Sequence, residues 1–489
     1  MGALDDSAGL PLVSTANVRP ARTTGMWVGL AGLLVVGYLA VGRSFAYVGL
    51  PWFSLYIGEL ALAAFLMFGP ATKQGRWIEI AKKAPDLRRL KLLFLVSLGY
   101  GAFQALRGIA AGHPIFSAAR DTAFNYYPLY LLLGIWVGLR DRDLLRRVVR
   151  ILAWCNGCYG LAYALFLNQL PWTWPGTSEA SSTVPFFTEP LGSAISLLGL
   201  LAFEPELRRV WHLLALNGLV MLFVQMRAEW LGFFLGLFVF TWCTKRLKQM
   251  AAGAALLASV LVVMYFAKIE LPSPEGRGGQ ISTQAIVARA LAPVSENAAA
   301  SLATEEDMVG YTGTTVWRLF WWAEIWNRVH SNPLSTLFGL GYGYPIGDLN
   351  PFIEPGTFIR TPHNDFFYVL GYTGWFGVIL FALFQVELLS QLIQRYKATR
   401  QPFGLMCWVA LITISMFGDF FEAPMGAIPF YLLAGMAVAP EIVAPHRTRE
   451  ANRIGRPLRP SEHTSERRSR CFLLGRGVSR ELREAWREE

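Results

Sequence analysis

The chain has 489 residues, 54% of them apolar and only 16% charged, with a mean hydropathy of +0.37 and a formal net charge of +10. This excludes an ordinary soluble protein and points to a bilayer, where long apolar runs without strict alternation exclude a barrel and leave helices. The class expected is all-α, a polytopic integral membrane protein.

A hydrocarbon core of about 30 Å needs about 20 helical residues. Taken in chain order, apolar runs place spans near residues 26–42, 50–69, 92–107, 121–139, 151–168, 190–203, 211–226, 229–244, 250–267, 364–386, 403–417 and 426–440, twelve in all. Arg19 and Arg22 precede the first run, and no A-x-A-like cleavage site closes it, so an uncleaved signal anchor is expected. With residues 1–25 inside, the inner segments hold 34 of the 44 Lys and Arg, as the positive-inside rule requires. The same bias explains the net charge through contact with anionic membrane lipids, with no nucleic-acid partner. Cys155 and Cys158 form a CNGC spacing inside the fifth span, where they read as small apolar helix residues.

Two outer connections are long. Residues 169–189 are rich in Pro and aromatics, and residues 268–363 separate spans nine and ten. The domain plan is thus an N-terminal cytoplasmic tail (1–25), nine spans (26–267), an outer loop (268–363), three spans (364–440) and a basic, disordered tail (441–489). Within the loop, TGTTVWRLFWWAEIWNRVHSNP predicts a helix capped by its Thr residues and stopped at Asn332–Pro333. Trp317, Phe320, Trp321 and Ile325 would form one broad face suited to headgroup depth. Gly339, Gly341 and Gly343 then read as a tight turn, with a phosphate loop as the alternative.

A few polar residues stand out against this background. Arg227 lies in a very short outer turn, where it either meets an anion or pairs with Glu229. Arg318 follows Trp317 on the loop helix and leans toward phosphate. His363 opens the tenth span in the trio His363-Asn364-Asp365, and a neutral imidazole there can act as a general base. Asn364 and Asp365 read as helix caps. A metal is the rival reading of the trio, but no second His or Cys stands at ligand spacing, so no cofactor is expected. Two guanidiniums that grip a diphosphate, beside a base, can support sugar transfer without a metal.

Three blocks, RAEWLGFFLGLFVF, WRLFWWAEIWNRVHSNPLSTLFGLGYGYP and HNDFFYVLGYTGWFGVILF, resemble in order and spacing the conserved region of the O-antigen ligase and O-antigen polymerase superfamily. The resemblance implies a GT-C-like fold and a metal-independent, inverting glycosyltransferase in the bacterial inner membrane, with its active site on the periplasmic face. It implies an undecaprenyl diphosphate-linked glycan as donor and lipid A-core, or another lipid or protein, as acceptor, in lipopolysaccharide or related cell-envelope polysaccharide biosynthesis. Arg227 and Arg318 would hold the diphosphate and His363 would activate the acceptor. Arg120, in SAARDTAF, is a further phosphate candidate whose alternative is a pair with Asp121. A polymerase, with both substrates lipid-linked, would share this logic. A twelve-span transporter or flippase would instead show related halves, whereas the elaboration here is asymmetric.

Overall fold

The structure, a computed structural model, describes residues 22–50, 55–69, 87–141, 143–167, 191–272, 280–292, 295–302, 305–350, 352, 361–418 and 420–439. The chain divides into two compact units, Met1–Pro440 and Glu441–Glu489. The second unit, which is the expected basic tail, lies outside the described residues, as do residues 1–21 and the connection 169–189.

The first unit is built from helices. They are α1 (Arg22–Val36, continued by a π-turn over Gly37–Val41), α2 (Ile57–Phe68), α3 (Arg88–Ala110), α4 (Ile115–Asp121), α5 (Tyr130–Arg140), α6 (Leu144–Leu165), α7 (Leu191–Phe203), α8 (Trp211–Val224), α9 (Arg227–Thr244) and α10 (Leu247–Phe266). After them come α11 (Thr283–Leu291), α12 (Glu305–Val329), α13 (Pro333–Phe338), α14 (Asp365–Thr399), α15 (Phe403–Ser415) and α16 (Pro424–Val438). Strand is confined, among the described residues, to two two-residue ladders, Gly49–Leu50 with Leu55–Tyr56 and Leu271–Pro272 with Gln280–Ile281. By length and composition α3, α6 and α14 can cross a membrane, and six further apolar helices are shorter. Exposed Phe234, Phe238 and Trp242 recur every four residues along one side of α9. Such stripes suit lipid rather than water, and the chain is an integral membrane protein.

Small residues set the closest helix crossings. A Cβ on Gly134 of α5 would come within 2.4 Å of the Leu432 carbonyl of α16, and one on Gly435 within 2.4 Å of the Leu131 carbonyl. The two backbones touch, which is how helices gain packing energy where lipid offers no hydrophobic drive. Buried polar side chains add a second link. Asn217 of α8 donates to the Ala153 and Leu213 carbonyls at 2.8 and 2.9 Å, and its amide lies 2.9 Å from that of Asn156 of α6.

The elements depart from the sequence reading in three places. The fourth expected span is broken into α4, a turn over Ala123–Tyr126, a 3-10 turn over Tyr127–Leu129 and α5. Pro128 has no N–H to donate to the preceding turn, and the broken segment is tied to α2 by the Tyr126 and Tyr127 hydroxyls, which donate to Glu59 Oε1 at 3.3 and 2.8 Å. The loop helix α12 includes Glu305, so Thr312, Thr314 and Thr315 lie inside it and do not cap it. The tenth expected span is two helices that meet at Gly374, whose φ of 65° and ψ of −169° are open essentially to glycine alone.

That break has a full hydrogen-bond account. The carbonyls of Gly371, Tyr372 and Thr373 lose their helical partners and accept instead from Leu340 N (2.8 Å), Gly341 N (3.0 Å) and the Tyr100 hydroxyl (2.6 Å). The Gly-rich turn is therefore a strap lying across the kink. Gly339, Gly341 and Gly343 all have positive φ, and a Cβ at Gly339 would collide with the backbone of Thr373 at 2.4 Å. From α3, Arg107 Nη2 donates to the Phe338 and Gly339 carbonyls at 2.7 and 2.8 Å, closing the end of α13.

Candidate active site

The segment of α14 before the kink, residues 365–373, carries the polar trio at its start. Asn364 is its N-cap: Oδ1 accepts from Phe366 N at 2.9 Å and Phe367 N at 3.1 Å. Its Nδ2 donates to the Met416 carbonyl at the end of α15, at 2.7 Å. Asp365, fully buried, accepts from Phe421 N at 2.9 Å and from Phe420 N at 3.4 Å, so it holds the turn that follows α15. Both residues thus have full structural employment and fix the backbone on either side of one junction.

His363 precedes them with φ of 50°, a left-handed conformation that costs a residue with a Cβ about 1–2 kcal/mol. A stretched or helical backbone would aim the ring elsewhere. The neighbouring chain is pinned by Trp322, whose Nε1 donates to the Pro362 carbonyl at 2.7 Å and whose ring stacks on Phe367 at 5.2 Å. The imidazole is half-buried and meets Trp317 edge to face at 5.5 Å.

Arg318 comes from the next position of α12. Its guanidinium lies 5.4 Å from the Trp317 ring centroid, and Nη1 donates to the Phe417 carbonyl at 3.2 Å. Trp321, Ile325 and Val329 continue that side of the helix into the core, while Val316, Leu319, Phe320 and Trp326 are exposed. The expected broad face is therefore divided. Trp321 and Ile325 hold α12 to the bundle, with Trp321 Nε1 donating to the Ile346 carbonyl at 2.9 Å, and Phe320 faces outward.

Arg227 opens α9, after a turn in which Gln225 takes φ of 55°. A Cβ on Gly232 would contact Ala410 and Ile414, and one on Gly236 would contact Met406, so α9 and α15 run antiparallel. One further turn back from Gly232 brings the start of α9 level with residues 414–418. Those residues include Met416 and Phe417, the acceptors for Asn364 and Arg318. The end of α15 is thus the common floor under Arg227, Arg318 and the His363 trio. Glu229, in the first turn of α9, is buried.

Arg120 stands apart from this floor. Its Nη2 lies 3.3 Å from Asp121 Oδ1, the helix-end pair offered as its alternative role. Asp121 in turn accepts from Gly343 N at 2.9 Å, and its carbonyl accepts from the Tyr368 hydroxyl at 3.3 Å. Arg120 therefore approaches the 365–373 helix at Tyr368, about one turn past the Asn364 cap. His330 and His113 are anchored elsewhere: His330 takes Trp375 Nε1 on its Nε2 at 3.2 Å, and His113 packs on Tyr344 at 5.6 Å.

Trp322 and Arg107 are positioning residues that the sequence reading did not single out, and Trp317 was placed there only on a headgroup-facing surface, not beside His363. Trp317 and Trp322 were hidden among tryptophans that read as membrane anchors. Arg107 gave one usable signal, a cation at the end of an apolar span without a nearby carboxylate.

Residues 212–382 match the family described as O-Antigen ligase. The resemblance read from the three sequence blocks is borne out over that stretch, which holds Arg227, Glu229, Arg318, His363, Asn364 and Asp365. No match was found among curated proteins.

Proposed function

We propose that this chain, similar to the O-antigen ligase family across residues 212–382, is a membrane glycosyltransferase that moves a glycan from undecaprenyl diphosphate to an acceptor hydroxyl on the periplasmic face. The observation that carries the reading is the shared floor at the end of α15. Arg318 and Asn364 bond to adjacent carbonyls there, His363 packs on the tryptophan beside Arg318, and the start of α9 with Arg227 lies at the same level.

In this mechanism Arg227 and Arg318 bind the donor diphosphate, while Arg120, paired with Asp121, stands apart from them. His363 removes the proton from the acceptor hydroxyl, whose oxygen attacks the anomeric carbon from the face opposite the diphosphate. The carbon–oxygen bond to the phosphate breaks with its electron pair staying on the leaving group, so the configuration inverts. The guanidiniums balance the charge that grows on that phosphate, which lowers the barrier more than it stabilises the bound donor. A base in this role contributes about 10²–10⁴-fold. Asn364 and Asp365 keep the histidine aimed, and Glu229 is a buried carboxylate two residues after Arg227.

The ligase form of the reaction accords with the description of the matched family, and lipid A-core is the acceptor proposed for it. Purified protein given the lipid-linked donor should transfer glycan only when lipid A-core is supplied. A ladder of lengthening glycans made from donor alone would assign it as a polymerase instead.

A further inference from the structure

A cavity lined by arginines lies at the other end of α8. It is open, about 310 Å³ in volume, and bordered by Arg146 and Arg150 of α6, Glu204 and Glu206 of the α7–α8 connection, and Arg209 and His212 around the start of α8. None of these residues takes part in the chemistry proposed above. Val210 and Leu213 line the cavity at the N-terminal end of α8, whereas Arg227 follows its C-terminal end. The 14 residues of that helix put about 21 Å between the two sites.

The arginines are built into place. Glu204 is buried, with only 6% of its side chain exposed, and it receives both guanidiniums: Arg150 through Nε and Nη2 at 2.6 and 2.7 Å, Arg146 through Nε and Nη2 at 3.3 and 3.2 Å. One carboxylate thus orients two cations, which remain 42% and 48% exposed toward the cavity and solvent. Arg209 adds a third guanidinium, held 2.8 Å from Glu206. Three arginines against two carboxylates leave a positive charge, and guanidinium edges fit phosphate oxygens in pairs.

The rim tells which side the anion comes from. Trp154 lines the cavity and is half exposed, Ile151 on the same helix is exposed, and Trp211 is exposed beside His212. Indole rings at the edge of an apolar surface, next to arginines, suit headgroup depth in a bilayer. Both connections also belong to the basic, inner set of the positive-inside pattern. We propose that this cavity binds a phosphate anion, and that the source of the phosphate is the headgroup of an anionic phospholipid on the face opposite the candidate active site.

The test uses the full chain purified in neutral detergent, with added phosphatidylglycerol, phosphatidylcholine or inorganic phosphate, read as thermal protection and as retained lipid by native mass spectrometry. Phosphatidylglycerol should protect and be retained in preference to phosphatidylcholine. The variant Arg146→Gln/Arg150→Gln/Glu204→Gln should weaken that binding by about tenfold or more, while Arg208→Gln, adjacent but not lining the cavity and lowering the net charge by the same amount, should leave it unchanged. Protection by inorganic phosphate without lipid preference, lost in the same variant, would keep the anion site and make its ligand soluble. Equal binding of the two lipids with no effect of phosphate overturns the proposal, as does an equal loss in Arg208→Gln, which would mean diffuse surface charge. If the triple variant is not recovered folded, Arg209→Gln, 77% exposed, carries the same test with the same outcomes.

Discussion

Replacing Asn364 by alanine removes three hydrogen bonds at one point. The cap on Phe366 N and Phe367 N is lost, which costs about 1 kcal/mol by itself. The Met416 carbonyl also loses its donor, and since Met416 is half-buried this adds about 0.5–1.5 kcal/mol. The sum of about 2 kcal/mol should appear as a lower unfolding temperature in detergent. Transfer should fall as well, since the residue before the cap is His363. Asn364→Asp separates the two contributions. Its carboxylate keeps the cap and favours the helix N-terminus, but it places an acceptor against the Met416 carbonyl, so its loss of stability should come from that tether alone. An Asn364→Ala protein with wild-type unfolding temperature would refute the reasoning, and an Asn364→Asp protein as stable as the wild type would remove the tether from it.

Gly374→Ala should lose about 1–3 kcal/mol from backbone conformation alone, before the clash of its Cβ with Gly339 N at 2.4 Å, and unfolding temperature checks this. Hydrogen bonds from Arg150 and Arg146 hold the Glu204 carboxyl down to about 2, against an ordinary value of 4.5. A depressed folded-state value means its contribution is fully present above about pH 4.5 and is lost as pH falls toward about 2, so the stability gap between wild type and Glu204→Gln should close over that window. Arg318→Lys should fail to restore the transfer lost in Arg318→Ala, because an ammonium cannot both reach the Phe417 carbonyl and present a planar fork over Trp317; steady-state transfer rates decide it. Transfer should persist with a chelator present, and loss restored by a divalent ion would return the metal reading of the His363 trio.

Hydropathy located the apolar helices because each buries or exposes a continuous run, and that signal is local. The Asn364 cap was legible for the same reason: an Asn one residue before a helix satisfies N–H groups within its own turn. The kink at Gly374 was not. Glycine is ordinary inside membrane helices, and what breaks this one is the strap of residues 339–341 and the hydroxyl of Tyr100, far away in sequence. The Gly339–Gly343 run was readable as a turn from its composition, but its contact with α14 was not. Thr312, Thr314 and Thr315 misled because they make good caps in principle, whereas α12 already includes Glu305. At the site, the arginine and histidine types were visible as exceptions in an apolar chain. Their common floor at Met416 and Phe417 was hidden, since carbonyl acceptors carry no sequence signature.

The central claim is tested most directly by single-turnover transfer from a purified undecaprenyl diphosphate-linked donor to lipid A-core, comparing wild type with His363→Ala alongside donor binding. The account predicts that His363→Ala binds donor as tightly as wild type and transfers about 10²-fold or more slowly. Transfer at the wild-type rate by that variant would contradict it.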